Sequence, residues 1–257
     1  MQLLVLALAL SSAAAFVAPQ PAAAATRLQE NKQDLIALQE SLPGPPGFWD
    51  PLSLAGSEVL SPWLEGQDAT IGFLRHAEIK HGRVAMAAFL GFCAQSTPLV
   101  SGEHAFLPYK GYIAGCTPQE QWDNVPLLGK LQIFTLIGLL ESYGEGAGDP
   151  AGYVHYTKGG VPGYYPPIKG RVGGQILFNL WDPFTLPGGP SSMTPERKAR
   201  GLKSELLNGR AAQMGILGLL SESAVPGSVP FLSGVEGFPR YAGEVMAPFS
   251  HDFHLFQ

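Results

Sequence analysis

The chain has 257 residues, enough for one large domain or two small ones. Charged residues make up only 14%, AVILMFWYC residues 46%, Gly and Pro number 32 and 23, and the mean hydropathy is +0.10; that balance points to a membrane protein with ordered loops. A net charge of -5 without a Lys/Arg cluster argues against a nucleic-acid partner, and Cys93 and Cys116 lack the number and spacing for a disulfide framework or a thiolate metal site.

The first residues, MQLLVLALALSSAAAFVAP, form an apolar run closed by small residues, the shape of a secretory signal cleaved near Ala15. The Ala-rich stretch from Phe16 to about Lys32 opens without acids, so the head reads as a two-part address. Residues 1–40 are therefore set aside as signal plus transit segment, and residues 41–257 are taken as the working domain.

The domain opens on FWDPLSLAG, Phe48 to Gly56, and continues into a helix that carries EIKHGRVAMAAFLG from Glu78. A second helix, Leu127 to Gly146, is almost wholly apolar and bears Gln132 and Glu141. Then the first pattern returns: LWDPFTLPG from Leu180, and ELLNGRAAQMGILG from Glu205. Glu78 aligns with Glu205, His81 with Asn208, Gly82 with Gly209 and Arg83 with Arg210, an internal duplication of a Trp-Asp-Pro loop followed by a charged helix start. The expected architecture is an all-α membrane protein with three transmembrane helices at about 70–95, 125–145 and 200–222, the first and third a crossed pseudo-two-fold pair.

Helix geometry explains why the motif occurs twice. Glu and His/Asn are separated by three positions and share a face. Glu and Arg are separated by five, about 140° apart around the axis, and cannot easily pair within one helix. Across a crossed pair, Glu78 can meet Arg210 and Glu205 can meet Arg83, so that charges in an apolar medium are compensated. Gly82, Ala85, Ala88 and Gly91, with their counterparts Gly209, Ala212, Gly215 and Gly218, supply small residues for close backbone approach. Bases gather at both repeat-helix starts and place those ends on the cytoplasm-equivalent side. Against this, the uncharged runs Val84–Leu99, Leu131–Leu140 and Ala211–Ser221 are shorter than the ~18 residues of an ordinary span.

A carboxylate, an imidazole and an amide oxygen can each give one axial bond to magnesium when a macrocycle supplies the others. With both motifs, the Asp-Pro loops and the middle helix in place, the sequence resembles the chlorophyll-binding light-harvesting antenna family of plastids over about Phe48 to Leu220. The resemblance implies Glu78, His81, Glu205 and Asn208 as central chlorophyll ligands, with Arg83 and Arg210 completing the ion pairs. It implies Gln132 and Glu141 as ligands on the middle helix, although nine residues put them about 180° apart. It aligns Glu222 with a further ligand position where the family usually has Gln or His. The only metal implied is the magnesium of chlorophyll.

Within that family, SSAAAFVAP and the tail segments VPGSVP and YAGEVMAPF resemble the chlorophyll a/c antennae of dinoflagellates and the wider fucoxanthin and peridinin proteins. The implied pigments are chlorophyll a, chlorophyll c and a xanthophyll of peridinin, fucoxanthin or diadinoxanthin type, with carotenoids near the loops at Asp50 and Asp182. The implied setting is the thylakoid membrane of a plastid, among thylakoid lipids and neighbouring antenna proteins, passing excitation to photosystem I or II. A photoprotective quencher would keep the same ligands. A carboxylate-bridged di-iron enzyme would need a second Glu-x-x-His where Asn208 stands, and an arginine beside each motif opposes iron. No nucleophile–base pair emerges, so the chain is read as not an enzyme. Trp49 and Trp181 read as buried loop anchors or pigment contacts, and His76, His104, His155, His251 and His254 as solvated or capping side chains.

Overall fold

The computed structural model describes residues 31–43, 48–56, 64, 66–102, 109–148, 150, 152–171, 174–180, 183–184, 192–243 and 249. The targeting head over residues 1–30, Trp181 and Asp182 of the second loop, and His104, His251 and His254 lie outside the described residues. Those described form α-helices and one 3₁₀ turn, with no strand among them: α1 (Lys32–Glu40), α2 (Gln67–Gln95), α3 (Pro98–Ser101), α4 (Pro118–Asn124), α5 (Leu127–Gly144), the 3₁₀ turn Tyr156–Lys158, and α6 (Pro195–Ala224).

Local chemistry sets several of these boundaries. The Asn31 side chain accepts from the Gln33 and Asp34 amides while Asp34 accepts from the Asn31 amide, so α1 starts on a reciprocal cap inside the stretch set aside as transit segment. Thr117 and Glu120 cap α4 in the same way, with Pro118 in the first turn. Pro195 likewise opens α6, where its missing N–H costs nothing, and the helix begins upstream of the apolar run, through Arg197, Lys198 and Arg200.

The chain divides into two compact units, residues 1–77 with 141–202, and residues 78–140 with 203–257. In the first, Ile71 is fully buried, and Leu42, Ala55, Ala69 and Ile168 are buried with it. Gly72 lets the backbone carbonyl of Tyr156 approach α2 so closely that any Cβ there would collide with it. In the second, the buried apolar residues are Ala85, Phe92, Leu206, Leu219 and Tyr241.

Much of the apolar surface faces outward. On α5, Leu128, Leu136 and Leu139 are 73%, 59% and 65% exposed. No single described helix is long and apolar enough to cross a membrane; α4 and α5 together meet the requirement, but with a bend of 104° between them. Charged groups within α2 and α6, and Lys130, Gln132 and Glu141 within the 18 residues of α5, account for that result.

Candidate functional site

The two copies of the repeated motif face one another in the second unit. Gly82 and Gly209 are the point of closest approach: a Cβ on either would lie 3.0 Å from the other's Cα. Side chains flanking this contact lock it. Arg210 Nε donates to Glu78 Oε1 at 2.7 Å, and Arg83 Nε donates to Glu205 Oε1 at 2.5 Å. Each pair uses the same atoms, and both glutamates are about three-quarters covered while both arginines are 41% exposed, so the duplication in sequence is a near-symmetry in space. Gln213 Nε2 adds a bond to the Glu78 carbonyl at 3.3 Å.

The small-residue stripe behaves differently from expectation away from its start. Gly82 and Ala85 are buried, but Ala88 and Gly91 are exposed, and a Cβ at Gly91 would meet nothing. The reason is rotational: steps of three residues drift about 60° each, so Gly91 lies on the far side of α2 from Gly82. On α6 the same drift turns Gly218 toward Val229, while Gly215 receives the Phe89 ring.

His81 and Asn208 are both exposed beside the locked pairs. The Asn208 amide nitrogen donates to Ser204 Oγ at 3.2 Å, which fixes the amide and leaves its carbonyl oxygen turned the other way. An exposed imidazole and an outward amide oxygen have room for a macrocycle, so these residues fit a chlorophyll magnesium. Gln132 is exposed and lines a cavity of about 630 Å³ with Gln95, Tyr109, Trp122 and Ile133. Glu141, exposed near the end of α5, belongs to the first unit.

Glu222 differs from the other sequence-identified candidates. It is fully buried, with both carboxylate oxygens at work. The Gly227 amide donates to both, the Val229 amide to Oε2, and Arg240 Nη1 to Oε1 and to the Glu222 carbonyl. Tyr241, beside Arg240, extends the clasp: its hydroxyl donates to Asp123 Oδ2 at 2.7 Å, and its amide to the Ser223 carbonyl. This geometry makes Glu222 the anchor of the segment that follows α6. Arg240 and Tyr241 lie outside the repeated motif, and no sequence signal marks this role.

Asp50 caps the turn that follows it, accepting from the Leu54 and Ala55 amides at 2.9 Å each, and Gln67 reaches back to the Ala55 carbonyl. Trp49 is 85% exposed, so it is not the buried anchor that a loop tryptophan often is. Cys93 and Cys116 are free thiols; Cys116 donates to the Ile113 carbonyl, and burial, then Glu120, raise its pKa.

The first unit contains a polar cluster that motif reading missed. His76 is buried and stacks on Tyr156 with ring centroids 3.9 Å apart, while His155 caps the 3₁₀ turn. Both rings face Glu145, which also accepts from the Tyr156 hydroxyl at 2.8 Å. The Tyr156 phenol is pushed up chiefly by burial and then by that hydrogen bond.

These features define a protein that is all-α over its described residues, with exposed polar side chains beside a locked helix pair. A family model described as chlorophyll A-B binding protein matches residues 36–224. The chain is 31% identical over 235 residues to a chloroplastic fucoxanthin-chlorophyll a-c binding protein of Trieres chinensis, covering 90% of this chain and 98% of that one. It is 32% identical over 176 residues to the chloroplastic fucoxanthin-chlorophyll a-c binding protein E of Macrocystis pyrifera, 68% of each chain, and 33% identical over 181 residues to protein A of that organism, 68% of this chain and 67% of that one. The chain belongs to the chlorophyll a-b binding protein family, a family of light-harvesting pigment proteins rather than enzymes, which sets the di-iron reading aside.

Proposed function

We propose that this chain is a chlorophyll a/c light-harvesting antenna in which Glu78, His81, Glu205 and Asn208 each give one axial bond to a chlorophyll magnesium. The observation that carries the reading is the pair of reciprocal Arg–Glu contacts, each beside an exposed donor at the matching position of the repeat. Arg83 and Arg210 hold the glutamates in place and compensate their charge in an apolar setting. Gln132, on the wall of its cavity, and Glu141, exposed near the end of α5, complete the ligand set; Glu222 is left out of it.

The matched relatives are named fucoxanthin-chlorophyll a-c binding proteins and chloroplastic. By analogy, this protein resides in a plastid and carries chlorophyll a, chlorophyll c and a xanthophyll of fucoxanthin, peridinin or diadinoxanthin type. In the finer reading it crosses the thylakoid membrane with α2, α5 and α6, the first and last as the crossed pseudo-two-fold pair. Its outward leucines then face lipid and pigment, and Trp49 is open to a carotenoid near the Asp50 loop. Neighbouring antenna proteins and a photosystem I or II core are its partners. Light absorption and excitation transfer belong to the bound pigments; the chain holds them at fixed separations.

Absorption and fluorescence excitation of the purified protein test this. A chlorophyll red band is expected, with xanthophyll excitation feeding chlorophyll emission. A colourless protein, or one whose carotenoid excitation never reaches chlorophyll, would overturn the reading.

A further inference from the structure

The offset that sets Glu78 on Glu205 and His81 on Asn208 also sets Gln95, the last residue of α2, on Glu222. The two copies diverge at this position. Glu222 is fully buried, and the segment after α6 occupies its carboxylate. Gln95 is half-buried and lines the cavity of about 630 Å³ that Gln132 also lines.

Three glutamines border that cavity, and their hydrogen bonds sort them. Gln121 is buried and fully engaged: its Oε1 accepts from the Ile113 amide at 3.2 Å and the Cys116 thiol at 3.3 Å, and its Nε2 donates to the Gly111 carbonyl at 3.0 Å. It holds the loop 109–117 in place as one wall. Gly111, at φ +94°, packs so closely on the Asn124 carbonyl that a Cβ would collide with it. Gln95 and Gln132, by contrast, make no side-chain hydrogen bond to any described residue. Their amides stand beside Trp122, Val125 and Ile133, where a polar group gains most from a partner of its own.

A cavity of this size suits one ligand head, since such sites hold about 300–1,000 Å³. With one macrocycle in it, the two amides have different tasks. In the proposed ligand set Gln132 gives the axial bond to magnesium, through its carbonyl oxygen. Gln95 then offers its two N–H donors to the rim of the ring. Tyr109 and Lys110 also border the cavity, but both are exposed, and water competes for their protons.

We propose that Gln95 donates a hydrogen bond to the ring keto group of the chlorophyll whose magnesium Gln132 binds, and so sets the energy of that one pigment; this rests on the reading of Gln132 as a ligand. The keto group is conjugated with the macrocycle. A donor at its oxygen stabilises the charge that moves toward oxygen on excitation, which shifts absorption to the red. The same bond weakens the C=O bond and lowers its stretching frequency.

Resonance Raman and low-temperature absorption of the pigment-bound protein test this, with pigment extraction run beside them. Gln95→Met removes the donor and keeps an unbranched side chain of similar length. The chlorophyll count should stay as in the wild type, one keto stretch should rise to the frequency of a free carbonyl, and one red component should move to the blue. Gln132→Leu should lose one chlorophyll per chain, and the keto stretch lost with it should be a hydrogen-bonded one. An unchanged keto region in Gln95→Met overturns the proposal, and so does loss of a chlorophyll there, which would make Gln95 itself a ligand. Should Gln95→Met fail to assemble, Gln132→Leu decides alone, and loss of a free-carbonyl stretch overturns the proposal. A full chlorophyll count in Gln132→Leu removes the ligand reading and the proposal with it, and the count tells that failure from the failure of the donor.

Discussion

Arg210 and Glu78 meet at 2.7 Å although 132 positions separate them in the chain, and the mirror pair Arg83 and Glu205 meets at 2.5 Å. A water-exposed pair of this kind contributes about 0.2–1 kcal/mol. A pair withdrawn from water costs ~3–5 kcal/mol when one partner is removed, because the other charge is stranded. In the proposed setting, with pigment and lipid around them, these pairs fall toward the upper figure. Arg210→Leu should therefore lower the thermal midpoint of the visible circular dichroism of reconstituted protein, and Arg83→Leu should do the same. The double change Glu78→Leu with Arg210→Leu should recover part of the loss. A double variant no more stable than Arg210→Leu would show that the pairing carries none of it.

The glycine contact makes a prediction with opposite signs at two positions of one helix. At Gly82 a methyl group would press on the Gly209 backbone, which cannot yield as a flexible side chain does. Gly82→Ala should separate the helices and destabilise the protein. At Gly91 the same methyl meets open space, and replacing a helical glycine with alanine there should gain about 0.5–1 kcal/mol. Thermal midpoints of the two reconstituted variants decide; equal effects would dissolve the distinction drawn from the drift of the stripe.

That drift marks where the sequence was legible and where it was not. The offset between Glu78 and Glu205 was enough to propose that each glutamate meets the other copy's arginine, because five residues on a helix leave no intrahelical alternative. The extent of the small-residue contact was not legible, since a period of three looks like a stripe in sequence and winds around the axis in space. Glu222 is a second case. The family resemblance aligned it with a ligand position, but Arg240 and the Gly227 and Val229 amides, which occupy its carboxylate, come from a stretch with no repeat to reveal them. The Glu145 network was invisible for the same reason: His76, Glu145 and His155 share no spacing, and only the folding of the segment 152–163 gathers them.

Alkaline titration reports on that segment. The Tyr153 phenol is pushed up to about 12, first by burial and then by the Glu145 charge. A group with a raised pKa contributes stability that is whole below its unfolded value near 10 and is lost as pH rises through the folded one. The 152–163 segment should thus hold at pH 10 and loosen toward pH 12. Tyr153→Phe, which has no proton to lose, should shift that loosening upward. Absorbance of ionised tyrosine, followed beside the visible circular dichroism, checks the order of events; ionisation of every tyrosine near 10 would contradict it.

Pigment stoichiometry separates the ligands from the anchor. His81 is exposed, and the Arg83–Glu205 and Arg210–Glu78 contacts are both kept in His81→Leu, which removes only the imidazole donor. One chlorophyll per chain should be lost, and the thermal midpoint should move little. Glu222→Ala should do the reverse. Its carboxylate accepts from Gly227, Val229 and Arg240, so removal strands two amides and a guanidinium at the end of α6. The chlorophyll count should stay as in the wild type while stability falls, and Arg240→Leu should reproduce that fall, because a buried carboxylate then loses its counter-charge. Pigment extraction with protein quantitation, run on all three variants after reconstitution, gives the counts. Loss of one chlorophyll in Glu222→Ala but none in Arg240→Leu would return Glu222 to the ligand set, whereas an unchanged count in His81→Leu would remove His81 from it.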